Sequence, residues 1–133
     1  MHDADKINRF NKKNGELAEA YFAAACLERG WQIFTPHGDS DPYDAIIVKG
    51  VLLHTIQIKS TFPKKVDTNR SRWVISRGSK KKLKYDRGVD FFALYCNYQK
   101  CWRFIRPSRL LGRKTFSIKH SDVKTKNNWH ELY

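Results

Sequence analysis

The chain has 133 residues, 41% of them hydrophobic and 14% aromatic, which suits one domain with a single core and excludes a largely disordered protein. Its longest apolar stretch, Ala20 to Leu27, is far shorter than the roughly 20 residues of a membrane span. The opening MHDADKINRFNKKN lacks the apolar segment of a secretory signal, so a soluble, cytoplasmic protein without membrane partners is expected. Lys and Arg number 26 against 13 Asp and Glu, a net charge of +13, and such a surplus in a small domain points to a polyanionic partner.

Residues 1–13 read as a polar, basic lead-in. Asn14 is a plausible N-cap for a helix over GELAEAYFAAACLERG that stops at Gly30, and its apolar middle predicts deep burial against a sheet. Trp31 to Thr35 is a short strand candidate. PHGDSDPYD is a loop, in which Asp39 and Asp41 serve the turn and His37 has no evident task. AIIV and VLLHTIQIKS, around Lys49-Gly50, read as a hairpin. Further strands are expected at Trp73–Ser76, Asp90–Cys96 and Trp102–Arg106, with a lysine-rich turn or helix at Ser79–Tyr85. The tail from Arg113 is polar and basic, without a clear element. Helix, strand, hairpin and later strands in this order indicate a mixed α/β domain, a central sheet flanked by helices. One domain over 1–133 is expected, with its core at about 14–106 and a basic tail at 107–133.

Cys26, Cys96 and Cys101 form no CxxC pair and are expected to be reduced and buried. The five histidines make no HExxH or HxH pattern, which argues against a histidine-built zinc centre. The positive charge is concentrated. Between 62 and 87, ten basic residues face only Asp67 and Asp86, so this segment carries eight of the thirteen net charges. Lys64, Lys65, Arg70, Arg72, Arg77, Lys80, Lys81, Lys82 and Lys84 are the candidate DNA contacts. The lysines are suited to grip backbone phosphates rather than read bases. Trp73 fits either a stacking role or the core.

The hairpin holds the chemistry. With Lys49-Gly50 as its loop, Val48 pairs with Val51 and Asp44 faces Thr55. Alternation then puts Thr55, Gln57 and Lys59 on the face of Asp44 and sends Ile56 and Ile58 to the buried face. A three-residue loop would reverse that parity. Phosphodiester hydrolysis needs charge stabilisation at phosphorus and an activated water, which a Mg²⁺ ion held by oxygen donors supplies. Asp44 offers a carboxylate and Gln57 an amide oxygen. Lys59 is placed to orient the water or neutralise the phosphate. Glu16 or Glu19 on the helix, three residues apart, adds a carboxylate.

GELAE at 15–19, DPYDAIIV at 41–48 and IQIKS at 56–60 together resemble the PD-(D/E)XK nucleases of restriction-endonuclease-like fold. Within that superfamily the spacing is most similar to archaeal Holliday-junction resolvases and to the intron-encoded homing endonuclease branch. The late strands, with VDFFALY and CWRFIRP, extend the likeness over roughly 13–106. The resemblance implies a catalytic set of Glu19 or Glu16, Asp44, Gln57 and Lys59, of which Asp44, Gln57 and Glu19 hold Mg²⁺ or Mn²⁺. It further implies a metal-dependent endonuclease on double-stranded or branched DNA, a homing or other site-specific enzyme first and a junction resolvase second, acting as a homodimer or larger homo-oligomer. Two departures stand out. Gln57 replaces the usual Glu or Asp and removes a negative charge from the metal site, as in the QxK variant of the homing-type members, and Tyr43 separates Pro42 from Asp44. The rival readings are a non-catalytic nucleic-acid-binding module on the same fold and an RNA-binding basic domain. The dispersed aromatics disfavour the second.

Overall fold

The computed structural model describes residues 3–38, 41–61, 70–75, 88–97, 100–119 and 128–133. A long helix α1 (Asp3–Glu28) is followed by strands β1 (Gln32–Phe34), β2 (Ala45–Lys49), β3 (Leu52–Ser60), β4 (Arg70–Val74), β5 (Phe91–Cys96), β6 (Cys101–Ile105) and β7 (Thr115–Lys119). Single 3₁₀ turns lie at Pro107–Arg109 and Trp129–Leu132. Five strands form one sheet in the order β1-β2-β3-β5-β6; β4 and β7 form a separate two-stranded ribbon. In the main sheet β3 and β5 run parallel while the other neighbours are antiparallel, so the α/β domain has a mixed sheet. No helix among the described residues is long and apolar enough to cross a membrane.

The helix begins at Asp3, well before Asn14, and the expected basic lead-in is therefore helical. Asn14 is not a cap but an interior position whose Nδ2 is buried without a hydrogen-bond partner. The lead-in contains no Pro or Gly to stop a helix, and its Lys and Arg residues propagate one well. The expected deep burial of the helix narrows to a stripe. Ala18, Phe22 and Cys26, four residues apart, are fully buried, whereas Leu17, Tyr21 and Leu27 stay exposed. Among the described residues the sheet covers one side of the helix, which gives its apolar middle one face to bury.

Two cores follow, one on each side of the main sheet. On the helix side, Phe22 stacks against Trp129 and meets Trp102 edge-on, with Ala45, Ile47, Ile56, Phe91, Ala93 and Phe104 around them. On the other side the ribbon's inner row, Trp73, Ile75 and Ile118, packs on Phe92, Leu94, Cys96 and Ile105. Trp73 is 1% exposed and its Nε1 donates to Tyr95 O at 3.0 Å, so it belongs to the core. All three cysteines are free and buried; burial pushes the Cys26 thiol up to about 12.

Beyond Arg113, residues 114–119 and 128–133 are structured where the sequence suggested only a tail. β7 pairs with β4 and supplies Ile118 to the second core, and Leu132 reaches the first. Asn128, 2% exposed, closes the outer edge of β6. Its Oδ1 accepts from Phe104 N and its Nδ2 donates to Phe104 O, both at 2.7 Å. One amide side chain thereby stands in for a neighbouring strand at an edge that would otherwise present open backbone groups.

Candidate active site

The β2–β3 turn is Gly50-Val51, one residue later than the expected Lys49-Gly50, with Lys49 paired to Leu52. A two-residue turn of the II′ kind needs a positive φ at its first position, and Gly50 has φ 59. The shift moves the pairing by one residue on each strand, leaving parity intact. Ala45 pairs with Ile56, so continuing the ladder puts Asp44 across from Gln57 rather than Thr55. Thr55, Gln57 and Lys59 keep the face of Asp44. In the parallel pairing Gln57 matches Phe92 and Lys59 matches Leu94, both in the second core, so this row lies on the ribbon side of the sheet. Ile56 points to the helix side and is fully buried; Ile58 packs there half-buried.

Asp44 is held at both ends. Its N–H donates to Ile56 O at 2.8 Å, and its Oδ2 accepts from Ile58 N at 2.7 Å. The carboxylate is thereby fixed against β3 beside Gln57. Burial pushes its carboxyl above the ordinary value of 3.8, while the Ile58 hydrogen bond and the Lys59 ammonium pull the other way. Lys59 is thus close enough to stabilise the ionised Asp44.

Glu19, on the helix, lies within electrostatic reach of Asp44. Desolvation raises its carboxyl first, and the negative charges of Asp44 and Glu16 raise it further. The Asp44 field at Glu19 brings the helical carboxylate and the strand carboxylate into one electrostatic neighbourhood. Glu16 is exposed and enters as a neighbour of Glu19.

Among the described residues no three His, Cys, Asp or Glu side chains gather into a metal-ligand group. Asp44, Glu19 and the Gln57 amide would offer only hard oxygen atoms. Burial raises both carboxyls and the negative charge of Asp44 raises Glu19 further, so a cation near them would favour their ionised forms. The residues therefore fit a Mg²⁺-like ion, which draws its remaining oxygens from water and substrate.

Just upstream on β3, Thr55 and Asp90 form a reciprocal clasp. Thr55 N donates to Asp90 Oδ2 at 2.9 Å, Asp90 N to Thr55 Oγ1 at 2.9 Å, and Thr55 Oγ1 to Gly88 O at 2.6 Å. It pins the entry to β5 against the strand of Gln57 and Lys59. Nothing in the local sequence pairs residues 35 apart. Of the basic candidates, Arg70 and Arg72 lie on the exposed side of β4. Lys64, Lys65, Arg77, Lys80, Lys81, Lys82 and Lys84 fall outside the described residues, as does Asp39; Asp41 and His37 are exposed in the loop before β2.

In the comparisons with known proteins, a bacterial homing endonuclease, I-Ssp6803I, superposes with a TM-score of 0.73 at 18% identity, covering 91% of this chain and 89% of that one. Hjc, a Holliday junction resolvase from the archaeal hyperthermophile Archaeoglobus fulgidus, superposes with a TM-score of 0.55 at 17% identity, covering 89% and 93%. At such identities the likeness is one of fold, and both share the restriction-endonuclease-like core. No protein of curated function matches the sequence. The PD-(D/E)XK endonuclease family model matches residues 10–131, nearly the whole length, and the chain accordingly belongs to the PD-(D/E)XK nucleases.

Proposed function

We propose that the chain is a Mg²⁺- or Mn²⁺-dependent DNA endonuclease whose site is Asp44, Gln57, Lys59 and Glu19. The observation that carries this reading is the grouping of Asp44 with Gln57 and Lys59 on one face, with the Glu19 carboxyl within the field of Asp44. The Asp44 influence on Glu19 favours Glu19 over Glu16 as the helical carboxylate. When bound, the ion supplies Lewis-acid stabilisation of charge at phosphorus and a more acidic water. Asp44, locked by Ile58 N–H, presents a pre-positioned anionic oxygen. Gln57 adds a neutral oxygen donor, so the site carries one negative charge fewer than a two-acid strand motif. Lys59 favours the ionised form of Asp44 and offers an ammonium where phosphate charge builds.

A homing or other site-specific endonuclease on double-stranded DNA is the preferred reading, in line with the higher structural likeness to the bacterial homing endonuclease. Resolution of branched DNA comes second, favoured by the likeness to the resolvase. Residues 1–133 act as one catalytic domain, and cutting two strands calls for a homodimer with two sites. The test is cleavage of supercoiled plasmid and a synthetic four-way junction by wild type, Asp44→Ala and Lys59→Ala, with Mg²⁺, Mn²⁺ or EDTA. Metal-dependent cutting by wild type is expected, together with DNA binding but at least about a hundredfold slower cutting by the variants. Equal binding by all three proteins, with no metal-dependent cleavage even of random-library DNA, would show a binding module instead.

A further inference from the structure

We propose that the β4–β7 ribbon reads DNA sequence by lying in the major groove; this rests on the endonuclease reading above. The two strands pair from Arg70↔Lys119 to Val74↔Thr115. Alternation divides their side chains cleanly. Ser71, Trp73, Ile118 and Phe116 face the main sheet, and Trp73 and Ser71 are tied to β5 through Tyr95 O at 3.0 Å and Cys96 Sγ at 3.1 Å. The outward row is Arg70, Arg72 and Val74 on β4 with Thr115, Ser117 and Lys119 on β7. It contains three cations, two hydroxyls and no acid.

The major groove, about 12 Å wide, admits a two-stranded ribbon whose strands lie about 4.8 Å apart. Same-face residues on one strand are about 6.8 Å apart, matching two base-pair steps of about 3.4 Å. Arg70 and Arg72 are therefore spaced to address positions two base pairs apart. Arg donates a two-pronged fork to guanine O6 and N7, and hydroxyls accept or donate to any base edge. Arg70 is already oriented across the ribbon, with Nε donating to Ser117 Oγ at 3.3 Å and Nη2 to Ser117 O at 3.4 Å. The ribbon also packs on the face of the main sheet that carries Gln57 and Lys59. An A-form RNA helix, with its deep and narrow major groove, would not admit the ribbon.

The experiment selects preferred sequences from a randomised duplex DNA library with wild type, Arg72→Ala, Arg72→Lys and Ser117→Ala. Salt-dependent affinities are then measured for selected and unselected duplexes, and duplex RNA is added as competitor. Arg72 is exposed and Ser117 half-buried, and thermal melts check that each variant folds. The expected result is a wild-type base preference that Arg72→Ala erases at one position, with about 10- to 100-fold weaker binding to the selected site and little change elsewhere. Arg72→Lys, which keeps charge but not the fork, should lose the same preference. A uniform loss on all sequences with a shallower salt slope would make Arg72 a phosphate contact and overturn the proposal while leaving the nuclease reading intact. Effective competition by duplex RNA would overturn it too. Absence of any DNA binding by wild type would remove the endonuclease reading itself.

Discussion

Removing the Asn128 side chain isolates the contribution of a single amide to the edge of the main sheet. Asn128→Ala leaves Phe104 N–H and C=O without the two 2.7 Å bonds they make at a position 2% exposed. Each buried, unsatisfied backbone group costs about 1–3 kcal/mol. Water reaching the vacated space offsets part of this, so a loss of about 2–4 kcal/mol is expected. For 133 residues the unfolding entropy is about 0.28 kcal/mol/K, which converts that loss to a fall in Tm of about 7–14 °C. Asn128→Leu fills the space and keeps water out, and should melt lower than Asn128→Ala. Asn128→Asp retains an acceptor for Phe104 N–H but sets an anionic oxygen against Phe104 O. Burial raises the new carboxyl in the folded state, so this variant is penalised as pH rises past the ordinary Asp value of about 3.9 and recovers as its O–H forms in acid. Differential scanning calorimetry across pH measures all three. A fall of less than about 3 °C for Asn128→Ala would refute the view that this side chain replaces a strand.

Further expectations concern the site and the helix. The carboxyls of Asp44 and Glu19 are raised above 3.8 and 4.5 by burial and, for Glu19, by its acidic neighbours. The folded state therefore favours their protonated forms, a stabilisation present below those values and lost as pH rises through the higher folded-state ones. In EDTA at neutral pH, Asp44→Asn should raise Tm, with the advantage vanishing in acid; excess Mg²⁺ should stabilise wild type and not the variant. A lower Tm for Asp44→Asn in EDTA would count against the repulsive pair. Gln57→Glu restores an anionic donor. A unit charge about 4 Å from a cation is worth about 1 kcal/mol in water and more in a half-dry site, so half-saturating Mg²⁺ for cleavage should fall about tenfold. An unchanged metal requirement would place Gln57 outside the metal shell. Gly15 lies inside α1, and a Cβ there meets nothing within 4 Å. Gly15→Ala should add about 0.5–1 kcal/mol and about 2–4 °C, whereas a loss would mean the helix is interrupted at that point.

Much of the candidate site's geometry was legible because its logic is local. Gly50, the alternation of TIQIK and the apolar AIIV run confine Asp44, Gln57 and Lys59 to one face under any two-residue turn. The parity therefore survived a turn placed one residue early. The helix C-terminus at Gly30 and the strands at 91–96 and 101–105 also follow from short-range pattern and breakers. The N-terminal extension of α1 was missed because Asn14-Gly15 resembles a cap and a start, yet neither residue obliges a helix to begin there.

By itself the sequence determined the mixed α/β class, the basic character, the parity of the hairpin and the two candidate helical glutamates. These depend on turn geometry, side-chain alternation and composition, which act over a few residues or over the whole chain at once. Only the tertiary structure decided that Trp73 is core rather than stacking platform, and that Asn128 supports Phe104. It alone brought Glu19 into the field of Asp44 and paired β4 with β7 to set Arg70 and Arg72 beside Ser117 and Lys119. These pairings join residues 24 to 49 apart, and their selection depends on which faces the packed sheet leaves to be covered, a quantity that no local pattern contains.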